Sequence, residues 1–473
     1  MKVLILSNSG RINLGGMDYD FIAGLKLSSN NHEVYMTDCR QALPACRINP
    51  IGHKISCWEC RVQRASAAKQ FPNIKQVPFP MPSENWENIW QEIEKKTIED
   101  EQDIKSLWYE NMDLGVAALS NAYNYTPDDC IDVKRDFADF KKCIKSILFS
   151  YLGSIHLIKS LGIDLVVLWN GRMAEHRAHM RAAEFCETDF WVTEVGADSK
   201  KWNIYKSHSP HDLEANQKLI NDAWHRSGDS QKHDIATKWF EDRRNGVLKN
   251  QPNFVEKQTK KKVSSEIQDG KKLVAIFSST WREFAALGDE WGLPFGTTQF
   301  EATKILVQTL SSLDDSYQIV IRMHPNQINA PLEVKKFLSL RRNKICVIAP
   351  EEDTDTYALI DMSHCVISFG STVGIEACFW EKPSILCGNS FYKHLDVATY
   401  CETPQAVLNN ILQPVIKKKE NSLPYGYYYS TCGELYEIKF KNFYKIKRLF
   451  DLLRSVENLL RVPWALVKKV IYK

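Results

Sequence analysis

Ser371, Thr372 and Glu376 are the residues whose types and spacing first suggest chemistry. They lie in SHCVISFGSTVGIEACFWEKPSILCG, residues 363–388. Cys365–Phe369 predicts a short buried strand and Gly370 a tight turn. Val373–Trp380 predicts a helix, which Lys382-Pro383 stops before a strand at Ser384–Cys387. A helix that opens at the carboxyl end of a parallel strand points unpaired N–H groups and partial positive charge into the crevice above the sheet. Phosphate suits that position. The two hydroxyls add donors, and Glu376, four residues after Thr372, shares its helix face. A carboxylate there can accept both hydroxyls of a ribose, so one strand–turn–helix would hold the sugar and phosphate of a nucleotide. The same residues also fit an N-cap serine and a solvated glutamate.

Other strand ends supply further polar groups. LVAIFSST, from Leu273, delivers Ser279 and Thr280, and Trp281, Arg282 and Glu283 follow in its loop. The strand Tyr317–Ile321 runs into Arg322-Met323-His324-Pro325. In the first half, Ile163–Trp169 runs into Asn170-Gly171-Arg172, and Phe190–Glu194 ends on its glutamate. The first strand, Lys2–Ser7, leads to NSGRINLGG, where Gly15, Gly16 and Asp18 face the expected ligand edge. That loop lacks the spacing of the dinucleotide fingerprint. Each group taken singly also fits an ordinary surface or strand-terminal residue. Several converging on one edge point to a site.

The elements that must position these groups alternate strand and helix in both halves, which predicts an α/β fold of two doubly wound, Rossmann-like units with a cleft between them. The expected divisions are an acceptor-side unit over 1–255, a charged linker over 256–272, a nucleotide-binding unit over 273–432 and a basic amphipathic helical tail over 433–473. From Lys439 onward the tail carries ten Lys/Arg against two acidic residues, interleaved with apolar ones. Such a stretch can lie on an anionic membrane surface or serve as a packing helix.

A length of 473 residues favours two domains. The net charge of +3 gives no reason to expect nucleic acid. No apolar run is long enough for a membrane span, and MKVLILSNSG reads as a strand rather than a signal peptide. Thirteen scattered cysteines suggest a reducing cytoplasm. Cys39, Cys46, Cys57 and Cys60 could supply four soft ligands to a structural zinc, but only CWEC has ligand spacing, and ordinary reduced cysteines are the competing reading.

RMHPN (322–326) and SFGSTVGIEACFWEKPSI (368–385) resemble the "HP" and "Ser-Ser/Thr…Glu" motifs of bacterial capsule and surface polysaccharide glycosyltransferases. FSSTWREFAALGDEW and LWNGRMAEHRA with TEVG resemble other segments of the same enzymes, although an acidic pair there is replaced here by Arg282-Glu283. The likeness covers roughly 163–196 and 273–388; residues 39–160 match no known pattern. It implies the GT-B architecture and metal-independent transfer of a sugar from a CMP-, CDP- or UDP-linked donor to a glycan or lipid-linked glycan, with no cofactor. On this basis His324 would assist the leaving phosphate, being titratable near neutrality, and Glu194 would act as base, with Asp18 and Glu283 behind it. Arg322, Ser371, Thr372, Glu376, Ser279 and Thr280 would bind the nucleotide, and Gly15, Gly16, Asp18, Arg172 and Glu283 would lie on the acceptor side. The expected location is the cytoplasm or the inner face of the plasma membrane. Two alternatives stand beside this reading: a non-hydrolysing nucleotide-sugar epimerase on the same fold, and a non-catalytic member of a polysaccharide assembly complex.

Overall fold

The computed structural model describes residues 1–7, 23–24, 26–50, 52, 54–123, 133–198, 200–247, 254–280 and 284–435, with only the backbone of 133–139. Gly15, Gly16, Asp18, Glu283 and nearly all of the basic tail therefore lie outside the described residues. The strands, in chain order, are β1 (Lys2–Ile5), β2 (Glu33–Asp38), β3 (Lys75–Pro78), β4 (Leu165–Trp169), β5 (Asp189–Val195), β6 (Lys201–Lys206), β7 (Lys272–Phe277), β8 (Tyr317–Arg322), β9 (Ile345–Ile348), β10 (Ser363–Ser368), β11 (Ser384–Leu386), β12 (Thr399–Tyr400) and β13 (Glu434–Leu435).

They form two sheets, ordered β13-β6-β5-β4-β1-β2-β3 and β12-β11-β10-β7-β8-β9. The second sheet is parallel throughout. In the first, β5 and β6 pair antiparallel, as do β6 and β13. The α/β class with two Rossmann-like sheets is thus what the chain forms. Parallel strands covered on both faces need continuous apolar runs, and YQIVIR in β8 is buried along its whole length. The order of strands reverses between β1 and β4, and again between β7 and β10. Open α/β sheets bind ligands beyond the strand ends at such reversals.

The long helix Val133–Leu161 and the helix Ala174–Phe185 contribute Ile147, Leu148 and Ala182 to the core over the first sheet. The helices Leu213–Arg226 and Lys232–Arg244 behave differently. Their Ile220, Trp239 and Phe240 share a core with Ile375, Phe379 and Leu386 of the second half and with Tyr425 and Tyr428 of the helix Leu423–Thr431. Phe240 stacks on Phe379 with ring centroids 4.2 Å apart. The charged stretch after residue 255 lies along the second sheet: Thr259 N–H donates to Asp353 O, Gln268 N–H to the Gln318 side chain, and Ile267 packs on the core. After the last helix, β13 returns the chain to the first sheet.

Candidate functional site

A cavity of about 360 Å³ opens above the carboxyl ends of β7, β8 and β10, at the strand-order reversal of the second sheet. Its wall includes Ser278, Thr280, Arg322, His324, Thr372 and Glu376, and Ser371 also lines it. The volume falls within the range of small-molecule sites. The turn after β10 depends on Gly370, whose φ is +108°. A Cβ there would meet Asn389 O at 2.6 Å, so only glycine fits without moving backbone.

Arg322 ends β8 and is 3% exposed. Its Nη1 donates to Ala349 O at 2.6 Å and its Nη2 to Glu352 O at 3.0 Å, while the buried Nε has no partner. Among the described residues no carboxylate bonds it. Burial pulls its pKa down to about 10, so it remains a cation at neutral pH.

His324 begins a single helical turn, Pro325–Asn329, that proline opens. Asn326 N–H donates to its Nδ1 at 3.2 Å. The proton of the neutral ring therefore sits on Nε2, which leaves a donor there. The expectation that this histidine titrates near neutrality is corrected: burial, helped by the Arg322 charge, lowers its pKa to about 4. At neutral pH it is a hydrogen-bond donor and not a resident acid. Ser278 Oγ accepts the His324 N–H at 2.8 Å and donates to Gln327 at 2.6 Å, which ties the ends of β7 and β8 together. Ser279 is absent from the cavity wall, because successive side chains at a strand end face opposite ways. Gln299 Oε1 accepts its N–H, and Gln299 Nε2 donates to its hydroxyl.

The helix after Thr372 runs Val373–Phe379, one residue shorter than expected. Thr372 does not cap it through its side chain. Glu376 is not solvated; it is 3% exposed. Arg243, from the Lys232–Arg244 helix, reaches Glu376 Oε1 from both Nε and Nη2 at 3.1 Å, and its Nη2 donates to Thr372 Oγ1 at 3.0 Å. Tyr357 O–H donates to Glu376 Oε2. Burial opposes the Arg243 charge, but the adjacent carboxylate outweighs it and its pKa is raised. Sequence reasoning missed Arg243 and Tyr357. The only local signal was a basic residue in the last turn of a helix, where the dipole favours cations.

At the edge of the first sheet, β5 carries Glu194. Asn170 Nδ2 donates to its Oε2 at 2.6 Å. Burial raises its pKa, with the Asn170 bond and the Arg172 charge opposing. Arg172 N–H donates to Asn170 Oδ1 at 3.3 Å, which draws the loop after β4 toward Glu194. Neither Glu194 nor Arg172 lines the second-sheet cavity. The two edges approach elsewhere. Trp291 Nε1 donates to His211 O, and Arg177 Nη1 to Leu287 O, each at 3.0 Å.

Cys39, Cys46, Cys57 and Cys60 surround a separate cavity of about 30 Å³. Burial raises the Cys39 and Cys46 thiols above their usual pKa. Among the described residues no group of three or more His, Cys, Asp or Glu side chains is arranged to hold a metal ion. Among the described residues the four sulfurs share a cavity without being arranged as a ligand set. Among the described residues no helix is long and apolar enough to cross a membrane.

No family model matches the chain, and no curated protein matches it. Solved structures similar to it include the β-Kdo 2,4 transferase KpsC of Thermosulfurimonas dismutans, at 12% identity over 56% of this chain and 79% of that one, TM-score 0.37. A UDP-GlcNAc 2-epimerase of Methanocaldococcus jannaschii in complex with UDP-GlcNAc and UDP is similar at 11% identity over 91% and 98%, TM-score 0.33. A Streptomyces glycosyltransferase complexed with thymidine diphosphate is similar at 8% identity over 90% and 95%, TM-score 0.25.

Proposed function

We propose that this protein is a glycosyltransferase that moves a sugar from a nucleotide-activated donor to a surface polysaccharide acceptor, with the second-sheet cavity as its nucleotide site. The observation that carries the reading is Arg322, a buried cation that among the described residues bonds only backbone carbonyls and that lines a cavity at a strand-order reversal. Removing such a charge from water costs several kcal/mol, of the order found for buried ions, and an anionic ligand offsets that cost. Thr372 and the His324 Nε2–H stand beside it as donors.

In this reading the acceptor hydroxyl bonds to the anomeric carbon while the bond from that carbon to the phosphate oxygen breaks. The phosphate leaves with the electron pair. Arg322, Thr372 and His324 stabilise the charge that grows there. The acceptor proton passes to a base on the first-sheet side. Glu194 is the candidate, because burial moves its pKa toward the working range of a general base. No step asks for a metal or cofactor. We assign the helices within 213–244 to the nucleotide-binding half, since they share its core. The tail after residue 433 would meet the inner face of the membrane, where a lipid-linked acceptor is presented.

A thermal-shift panel of CMP, CDP, UDP and GDP tests the site. Ligand at a hundred times its dissociation constant adds about 2.7 kcal/mol of stability. No shift with any of them would overturn the reading. Incubating the responding nucleotide sugar without acceptor then separates the enzymes. Its conversion to an epimer would favour the epimerase, whereas transfer only when glycan is added supports the transferase.

A further inference from the structure

Arg243 falls within the 1–255 stretch expected to form the acceptor-side unit, yet it lines the cavity with Thr372 and Glu376. The Trp239 ring backs its guanidinium, 4.8 Å from the ring centroid. This support and the bonds to two different side chains fix the fork in place.

Counting lone pairs and protons shows what the fork does. An ionised carboxylate offers about four acceptor sites. Arg243 bonds Glu376 Oε1 through Nε and holds Nη2 3.1 Å from the same oxygen, which crowds both of its sites, and Tyr357 takes one on Oε2. About one site remains. A threonine hydroxyl has one proton to give and two lone pairs. Because Thr372 Oγ1 accepts from Arg243, its proton is directed to another acceptor, and the cavity supplies room for one.

We propose that Arg243 is a positioning residue that sets the specificity of this site. It orients Thr372 as a donor to the phosphate of the ligand and leaves Glu376 room for a single ribose hydroxyl. The two-hydroxyl grip expected from the sequence is thereby replaced by recognition of phosphate first and of one ribose position second. The inference rests on the nucleotide reading above.

Calorimetry on the full-length protein tests it, with UDP and CMP, their 2′-deoxy and 3′-deoxy analogues, and inorganic phosphate. One deoxy analogue should bind about tenfold more weakly than the parent and the other within about twofold, since one hydrogen bond is at stake. Arg243→Lys keeps a cation against Glu376 but cannot bridge to Thr372. It should melt close to the wild type while phosphate and nucleotide affinity fall about tenfold. Thr372→Val is the independent variant should Arg243→Lys fail to fold, and it should show the same loss for phosphate. Equal weakening by both deoxy analogues would overturn the inference, as would wild-type phosphate affinity in a folded Arg243→Lys or in Thr372→Val. Absence of binding by the wild type to every nucleotide and to phosphate is a different result, and it sinks the nucleotide reading itself.

Discussion

His324 is held neutral, and the pH dependence of stability should show it. Its pKa lies at about 4 in the folded chain against 6.5 for an ordinary histidine. At ~1.36 kcal/mol per unit this amounts to roughly 3 kcal/mol. The sign follows from which state takes the proton first. Between pH 6.5 and 4 the unfolded chain binds it and the folded chain does not, so stability falls as pH falls through this window and levels off below it. Above the window the residue contributes no pH dependence. His324→Gln removes the titration. Urea unfolding of both proteins at pH 7.5 and 4.5 should therefore show the variant gaining roughly 2–3 kcal/mol relative to the wild type at the lower pH. His179 and His211, whose pKa values burial also lowers to about 3, are common to both proteins and cancel in the difference. A wild-type–variant difference that stays constant across pH would refute the argument, and with it the neutral Nε2–H donor.

Other substitutions probe the same architecture. His324→Ala should cut turnover by roughly 10²-fold, the scale of a lost donor to developing charge, with purified-enzyme rates as the check. Arg243→Met strands Glu376 at 3% exposure and should cost about 3 kcal/mol, much of it recovered when Glu376→Gln is added; a double-mutant cycle of melting curves measures the coupling. Gly370→Ala forces a Cβ to within 2.6 Å of Asn389 O at a φ of +108°, so it should cost at least about 1–3 kcal/mol in unfolding experiments. Deletion from Lys439 onward should reduce salt-sensitive binding to anionic liposomes; if the deletion unfolds the protein instead, the tail is a packing helix.

The strands that build the cavity were legible because they are buried on both faces. β7, β8 and β10 each carry a short apolar run (LVAIF, IVI and CVI), and a polar cluster after each marks its carboxyl end. β3 and β6 were not legible. KQVP is an edge strand with no fully buried residue, and KWNIYK is half-buried, so neither carries the apolar run of a central strand. Glu376 and Thr372 could be placed on one helix face by their spacing. Their partner could not: Arg243 lies 129 residues from Thr372 and 133 from Glu376, and only the packing of Trp239 and Phe240 on the second half brings it there. Ser279 and Thr280 were both expected at the site, and the alternation of side chains separates them: Thr280 lines the cavity and Ser279 does not.

The return of the chain through β13 has a mechanical consequence. Among the described residues the backbone passes from the first sheet's body to the second after Lys206, and comes back between Thr431 and Glu434. The two passages leave β6 at opposite ends: the first follows Lys206, whereas the second is fastened near the start of the strand, where Ala197 N–H donates to Cys432 O and Glu434 pairs with Trp202. Two connections at the two ends of one strand tether the bodies more closely than a single linker would. Arg177 Nη1 on Leu287 O adds a side-chain contact between them. Separation of the bodies should break that contact and leave β13 paired, which hydrogen exchange would read as retained protection along the edge formed by β5, β6 and β13. The spacing between the two sheets would thus be held from a place apart from the second-sheet cavity.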